Sequence, residues 1–256
     1  MADARPPAAP QEVLLRWSAA GRRLEPAAGP AAGLDVADSW LVGGGMVRGL
    51  DYHAERFAGS CQRRHGVPVP DTMEFLLAAA AVLPRDGRWF PRVEFEAGDG
   101  FRLRLRPAPP PSDGVVLGRM VGPDPRRDPA VKGPDLVMLA ALRQQAQPAG
   151  AGEVLLVSAD GLVLEGALSA LLWWRGDVLC APPLTLPVLP SVTRRLLLDI
   201  AAGTGTPVRF EACRPEDLDG AELWSASALH GIRPVTAWAA PGLAAGAARR
   251  AGRWQG

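Results

Sequence analysis

One residue of the chain stands out for chemistry, because Lys132 is the only lysine among 256 residues. The other 27 of the 28 basic residues are arginine. Arginine serves equally well for surface charge, but its guanidinium stays protonated and is a poor nucleophile, whereas a lysine amine can be tuned into one. The chain also lacks asparagine and has a single tyrosine, so biased composition and chance retention are the alternative explanation. The retained lysine predicts chemistry that needs an amine.

A carboxylate follows in an apolar strand. Glu165 comes directly after Leu162, Val163 and Leu164. An outward-facing strand residue is one interpretation of this glutamate. The other is a buried carboxylate with a dedicated partner, because burying a carboxylate in an apolar run without one is costly.

The elements around these two residues form an ordered series. Apolar runs separated by turn residues predict an antiparallel meander, with strands at 153–158, 162–166, 171–175 and 178–183. A helix follows, with apolar positions at helical spacing from Val192 to Ala201 and Ser191 as its N-cap. The predicted order after Lys132 is therefore helix, meander and a Ser/Thr-opened helix.

The residues before Lys132 predict a separate half of mixed structure. Strands are expected at 12–17, 39–42, 46–50, 89–95, 101–106 and 115–119. Helices are expected at 52–64, capped by Asp51, and at 72–83. Three prolines within 123–129 leave no room for a helix and indicate a connector. We predict an α+β protein with an N-terminal domain of residues 1–120 and a C-terminal domain of residues 121–256.

Composition excludes several classes of partner. A net charge of +1 and a pI near 7.8 give no basis for binding nucleic acid or an anionic membrane. No run approaches the roughly 20 apolar residues of a membrane span, and the first residues, Met1 to Pro7, lack the apolar core of a signal peptide. Three cysteines without metal spacing favour buried thiols in a reducing compartment. We expect a cytoplasmic protein.

The ordered set of motifs resembles the class IV aminotransferase family, which is fold type IV of the pyridoxal-phosphate enzymes. The resemblance covers about residues 36–240 and is strongest after Lys132. The separation of Lys132 and Glu165 (165 − 132 = 33) is also close to what the family leads one to expect. The matching segments are 153–161, 163–166, 181–183, 189–194, 217–218, 221–224 and 232–235.

The resemblance implies a fold and a set of cofactor contacts. Two α+β halves would hold pyridoxal phosphate in the cleft between them, in a protein that is commonly a homodimer. Lys132 would supply the amine that holds the cofactor's aldehyde, and Glu165 the acid at the ring nitrogen. The phosphate would bind the N-terminus of a helix. Its implied contacts are Val192, Thr193, Ser227, Ala228 and, near where the family places an arginine, Arg48.

Three functions remain open at this stage. The loop at 225–235 resembles that of aminodeoxychorismate lyase, which favours a lyase that eliminates pyruvate and releases 4-aminobenzoate. A branched-chain or D-amino-acid transaminase is the alternative, although Leu136 or Val137 and Ala170 stand where transaminases of the family usually have Tyr and Asn. A cofactor-free binding protein is the third, because Ala37 to Val42 replace a family element of the substrate pocket. Both enzymes would take a small amine substrate carrying a carboxylate. One of Arg92, Arg102, Arg104 and Arg106 would be its ligand.

Overall fold

The computed structural model describes residues 11–29, 33–239 and 241–254. The strands in these ranges are β1 (Val13–Ser18), β2 (Arg23–Pro26), β3 (Val36–Ser39), β4 (Val42–Gly43), β5 (Met46–Val47), β6 (Arg88–Trp89), β7 (Arg92–Glu96), β8 (Gly100–Leu105), β9 (Val115–Arg119), β10 (Glu153–Val157), β11 (Val163–Gly166), β12 (Ala170–Arg175), β13 (Val178–Ala181), β14 (Val208–Phe210), β15 (Leu223–Ser227) and β16 (Gly231–Trp238). The α-helices are α1 (Leu50–His65), α2 (Val69–Ala81), α3 (Leu136–Ala146) and α4 (Val192–Gly203). This mixture confirms the predicted α+β class.

The first half is built on a five-stranded antiparallel sheet with the order β2-β1-β8-β7-β3. Helices α1 and α2 pack against each other, and α1 also packs on β3. Phe57 of α1 and Phe75 of α2 contact Phe101 of β8 in a shared apolar core. The two helices predicted in this half are confirmed, each beginning two or three residues earlier than expected.

The start of α1 differs from the prediction. The N-cap position is Gly49 with φ 61°, and no side chain in the described ranges caps the helix. Asp51 lies inside the first turn, where a negative charge still favours the helix dipole. The prediction that Asp51 caps this helix was therefore wrong, because a glycine in a left-handed conformation shifts the start of the helix.

The second half is an eight-stranded mixed sheet with the order β11-β10-β9-β16-β15-β12-β13-β14. The hairpins β10–β11 and β12–β13 are antiparallel, as predicted. They do not form one continuous meander, because β9, β16 and β15 lie between them. The strand β9, which the sequence analysis placed in the first half, pairs in parallel with β10 and β16 and belongs to this second sheet.

Helices α3 and α4 cover the second sheet. Leu139 of α3 joins an apolar cluster with Val154 and Leu156 of β10. Leu197 of α4 packs with Trp224 of β15. Both helices begin close to predicted site residues, so their packing fixes where those residues lie.

The remaining expectations concern the cysteines, membrane-spanning helices and the first residues of the chain. The three cysteines are buried free thiols, as predicted. Among the described residues, no helix has the length and apolar character that a bilayer crossing requires. The first ten residues, from which the lack of a signal peptide was inferred, lie outside the described ranges.

Candidate active site

A cavity of about 300 Å³ is lined by residues of both halves of the chain. Its volume falls within the usual range for small-molecule sites. It brings together six of the seven predicted site residues, namely Lys132, Glu165, Val192, Thr193, Ser227 and Ala228. The structure therefore assembles at one place residues that lie up to 96 positions apart (228 − 132 = 96).

Lys132 lies in the segment before α3 and is held by its backbone. Its carbonyl accepts a hydrogen bond from the amide of Ala37 at 2.6 Å. The next residue, Gly133, has φ 151°, and a Cβ there would lie 2.8 Å from the carbonyl oxygen of Asp35. Only glycine permits this close approach, so the sequence after Lys132 is adapted to dock against β3.

The Lys132 amine has a lowered pKa. Burial disfavours the ammonium ion and lowers the pKa to about 8, and Arg56 and Arg106 add to this by repulsion. Asp38 acts in the opposite direction. A larger fraction of this amine is therefore neutral near pH 7 than of an ordinary lysine, and the neutral form is the nucleophile and the base.

Glu165 is a buried carboxylate with partners, as the apolar run predicted. It is 5% exposed, and its Oε1 accepts hydrogen bonds from Arg126 Nη1 at 2.6 Å and from the amide of Leu189 at 2.7 Å. Burial raises the pKa of Glu165, and the guanidinium of Arg126 opposes that shift. Among the described residues, both hydrogen bonds use Oε1, which leaves Oε2 for a ligand.

Arg126 joins Glu165 to a second acid. Its Nε and Nη2 donate to Asp124 at distances from 2.7 to 3.0 Å, and Nη2 also donates to the carbonyl of Pro187. The side chains of all three charged residues are at most 7% exposed. Sequence analysis missed Arg126 and Asp124, because they lie in the proline-rich segment that indicated a connector.

The N-terminus of α4 forms another wall of the cavity. Ser191 Oγ accepts the amide of Arg194 at 3.2 Å, which confirms the predicted N-cap. Val192 and Thr193 are the first two helical residues and line the cavity. Their amides have no acceptor within an α-helix, and the helix dipole favours an anion beside them. Ser227, at the end of β15, and Ala228, in the turn that follows it, line the same cavity.

A buried ionic triad lies beside Lys132. His53 Nδ1 lies 2.7 Å from Asp38 Oδ1, and Arg56 donates to both oxygens of Asp38 at 2.8 Å. Burial alone would raise the pKa of Asp38, but Arg56 and His53 outweigh it and hold that pKa far below its usual value. Arg56 also donates to the carbonyl of Pro190, directly before α4. The triad therefore fixes a cation at the start of that helix.

Arg48 is positioned differently from the other six predicted site residues. It is exposed, it does not line the cavity, and its Nη1 lies 3.9 Å from where a Cβ on Gly231 would be. Arg56, eight residues later on α1, lines the cavity instead. The sequence predicted a helix at 52–64 but gave no reason to select Arg56 within it.

The four arginines considered for a substrate carboxylate separate into two groups. Arg92 and Arg106 line the cavity, whereas Arg102 pairs with Asp99 and Arg104 pairs with Glu94 and Glu12. Arg92 pairs with Glu94 at 2.6 Å.

Arg106 has a different environment. It donates to the carbonyl of Phe90 and lies over its ring at 5.2 Å. Burial lowers the pKa of Arg106, and repulsion by Arg92 adds to the effect. Among the described residues, no acidic side chain forms an ion pair with Arg106.

The positions where transaminases usually have Tyr and Asn are apolar here. Leu136 and Ala170 line the cavity, and Val137 is 80% exposed. This part of the wall therefore contributes no hydrogen bond from those side chains.

Comparison with known proteins agrees with this architecture. The family model for amino-transferase class IV matches residues 35–238. A bifunctional aminodeoxychorismate lyase / D-amino acid transaminase from Mycobacterium tuberculosis (strain ATCC 25618 / H37Rv) is 36% identical over 101 residues. That alignment covers 36% of this chain and 35% of the relative, about a third of its length.

Solved structures extend the likeness over nearly the whole chain. A hypothetical aminotransferase from Mycobacterium tuberculosis in its apo form has a TM-score of 0.80 at 21% identity, covering 95% of this chain and 96% of that one. A fold IV transaminase from Curtobacterium pusillum has a TM-score of 0.78 at 20% identity, covering 95% of both chains. At these identities the likeness establishes the fold.

The two α+β halves and the lysine–glutamate cavity define a fold type IV architecture. The protein belongs to the class IV aminotransferase family, since that family's model covers residues 35–238. Members of this family are pyridoxal-phosphate enzymes.

Proposed function

We propose that the protein is a pyridoxal-phosphate enzyme that removes a proton from the amine-bearing carbon of a small substrate carrying a carboxylate. The observation that carries the proposal is the Lys132 amine, whose pKa is lowered to about 8, in one cavity with a buried carboxylate and a helix N-terminus.

The residues present fit the cofactor. Glu165 offers a free carboxylate oxygen for the ring nitrogen, and the amides of Val192 and Thr193 offer donors for the phosphate. Ser227 and Ala228 face the same space. Arg56, rather than the predicted Arg48, supplies the cation at that helix. When bound, the cofactor supplies an electron sink for the negative charge left by proton removal.

The leading reaction is a lyase reaction like that of aminodeoxychorismate lyase. Lys132 acts as general base at the amine-bearing carbon. The enolpyruvyl group departs with its bonding electrons and takes up a proton to become pyruvate, and the ring becomes aromatic as 4-aminobenzoate. The proton removed and the proton taken up balance, so no amino acceptor is consumed. The loop from Ser225 to Val235 and the apolar Ala170 support this choice.

An arginine pair is placed to bind a carboxylate of the substrate. Arg106 is the stronger candidate, because its charge lacks an ion-pair partner among the described residues and its repulsion already acts on Lys132. Arg92 lies in the same wall but is paired with Glu94.

An amino-acid transaminase is the second candidate. It is supported by the curated relative, whose name includes both activities. In that reaction Lys132 would move the proton instead of supporting an elimination, and water would release a keto acid while the amino group stays behind on the cofactor. The third hypothesis, a cofactor-free binding protein, has less support, because Lys132, Glu165 and the start of α4 share one cavity. The cytoplasmic location and the homodimer stay predictions.

The test begins with the visible absorption of the purified chain mixed with pyridoxal phosphate. Borohydride reduction and peptide mapping then locate the covalent label, which we expect on Lys132. A label on the N-terminal amine alone would contradict both enzyme hypotheses.

A second step separates the two reactions. With amine substrate and no keto acid, a lyase releases pyruvate over many turnovers. A transaminase stops within one equivalent, because its cofactor has no acceptor to restore it.

A further inference from the structure

The cavity has a second polar region, distinct from the one around Glu165. We call it the basic end, and define it by Arg143 of α3, Arg233 of β16 and His230 of the turn between β15 and β16, all of which line the cavity. One acid lies among them, Glu153 at the start of β10.

Arg233 is buried without a matching acceptor. It is 6% exposed, and its Nε has no hydrogen-bond partner among the residues that the structure describes. Its Nη2 lies 3.5 Å from Ser225 Oγ, at the limit of a hydrogen bond. Burial lowers the pKa of Arg233, and Arg143 adds to this, while Glu153 opposes it. A buried guanidinium is costly unless it is paired.

Glu153 does not supply the missing partner. Its Oε1 accepts the amide of Val154 at 3.0 Å, and its Oε2 accepts Ser169 Oγ at 2.9 Å. Its ion pair is with Arg143, whose Nε is 3.6 Å away, while Arg143 donates its better hydrogen bonds to the carbonyl of Gly152. Two guanidiniums therefore face one carboxylate, which leaves one positive charge in excess.

His230 lies in the field of that excess charge. Its Nδ1 is buried and has no hydrogen-bond partner within the described part of the chain. Burial lowers the pKa of His230 to about 4, and repulsion by Arg233, Arg143 and Arg88 contributes. The imidazole is therefore neutral near pH 7, and its free nitrogen can donate to an anion without adding to the charge.

We propose that the basic end is a second anion subsite, in which Arg233, Arg143 and His230 bind a carboxylate of the substrate other than the one near Lys132. This assignment rests on the proposed function for the position of the amine. The two carboxylates of the lyase substrate, one on the ring and one on the enolpyruvyl group, would then bind separately, one at Arg106 and the other at the basic end. Guanidinium groups suit this role, because they bind carboxylates through two parallel hydrogen bonds.

The experiment compares succinate with butyrate, which has the same number of carbons and one carboxylate fewer. Calorimetry on the full chain, loaded with pyridoxal phosphate, measures both dissociation constants. We expect succinate to bind about tenfold or more tightly than butyrate. In Arg233→Met, succinate binding weakens by about tenfold, and butyrate binding is unchanged. The matched control is Arg209→Met, because its exposed guanidinium pairs with Glu211 and is not among the residues that line the cavity.

A second measurement needs no variant. The chain has three histidines, so the His230 resonance can be assigned by comparison with a His230→Gln spectrum. We expect the pKa of His230 to rise from about 4 when succinate binds, because an anion beside it offsets the repulsion by Arg233.

Two results would overturn the subsite. One is equal affinity of the wild-type chain for succinate and butyrate. The other is an Arg233→Met variant that loses affinity for pyridoxal phosphate and keeps its affinity for succinate, which would assign Arg233 to the cofactor's phosphate. The cofactor role of Lys132 is judged separately by its covalent label. If no label forms, the titrations are run on the cofactor-free chain, where a preference for succinate would retain the subsite and its absence would reject it.

Discussion

The two polar ends of the cavity differ in how their charges balance. At the Glu165 end, one guanidinium faces two carboxylates, and the hydrogen bonds from Arg126 to those acids are 2.6 to 3.0 Å long. At the basic end, two guanidiniums face one carboxylate, and the contacts of Arg233 to Ser225 and of Arg143 to Glu153 are 3.5 and 3.6 Å. Counted over these hydrogen-bonded and ion-paired groups, the Glu165 end has one negative charge in excess and the basic end has one positive charge in excess.

This difference indicates what each end is adapted to receive. A negative excess complements a protonated ring nitrogen, and a positive excess complements a carboxylate. The closely paired Glu165 end holds its shape without a ligand. The loosely paired basic end gains its missing hydrogen bonds from one.

Removing the amine on which both ends depend has the largest expected effect. Lys132→Arg keeps the positive charge but cannot link to the cofactor or act as base near pH 7. We expect activity to fall by about 10³-fold or more, measured as steady-state turnover together with loss of the covalent label. The variant has no lysine, so any label that borohydride still traps would be on the N-terminal amine.

Replacing one arginine at each end compares how much the ion pairs of the two ends contribute to stability. In Arg126→Met, Glu165 and Asp124 stay buried without their cation, and we expect a loss of about 3–5 kcal/mol in the free energy of unfolding. In Arg143→Met, a surplus cation and its hydrogen bonds to the Gly152 carbonyl are lost, and we expect about 1 kcal/mol. Urea unfolding measures both, and equal losses would reject the contrast.

Neutralising the acid of the Glu165 end tests the charge rather than the fold. Glu165→Gln keeps a carbonyl oxygen to accept the Leu189 amide but no longer holds a negative charge at the cofactor's ring. We expect kcat to fall by about 10²-fold. The label on Lys132 should form normally, and an unchanged kcat would show that this carboxylate is structural.

Arg48 precedes α1 and Arg56 lies within it. Replacing each in turn tests which of them binds the phosphate, in the site beside the Glu165 end. Arg56→Met should weaken binding of pyridoxal phosphate by about tenfold or more, whereas Arg48→Met should leave it within about twofold, because Arg48 lies outside the cavity lining. Fluorescence titration with the cofactor measures both. The reverse order would restore the role that the sequence predicted for Arg48.

The smallest expected effect is on the pH profile. Because the pKa of Lys132 is about 8 in the fold, about one tenth of the amine is neutral at pH 7 and about half at pH 8. The rate of covalent cofactor uptake should therefore rise with pH and level off above that pKa. Stopped-flow absorbance measures it, and a rise that continues to pH 10 would place the pKa near its ordinary value.

The sequence predicted the Glu165 end better than the basic end, for physical reasons. Lys132 was detectable by its rarity, and Glu165 by its apolar neighbours. Ser191 followed a local capping rule that does not depend on the rest of the fold. The signals for Glu165 and Ser191 lie within a few residues of them, and the signal for Lys132 is a count over the whole sequence.

The residues that were missed depend on distant partners. Arg233 of β16 and Arg143 of α3 are 90 positions apart (233 − 143 = 90). They come together because α3 packs on β10, and β10 and β16 flank β9 in the second sheet. Nothing local indicates that β9 pairs in parallel with strands so far along the chain. The same applies to Arg126, whose role depends on its contact with Glu165 of β11. It also applies to Arg56, whose role depends on its contact with Asp38 of β3.

The docking of Lys132 on β3 has a consequence for how this protein could change over time. The carbonyl of Lys132 is held by the amide of Ala37, next to Asp38, and Gly133 leaves no room between the two segments. Substitutions that reshape the pocket along β3 will therefore also displace the amine. Substitutions in β3 should therefore change substrate selectivity and catalytic rate together. Directed evolution of one property will change the other unless β3 is left untouched.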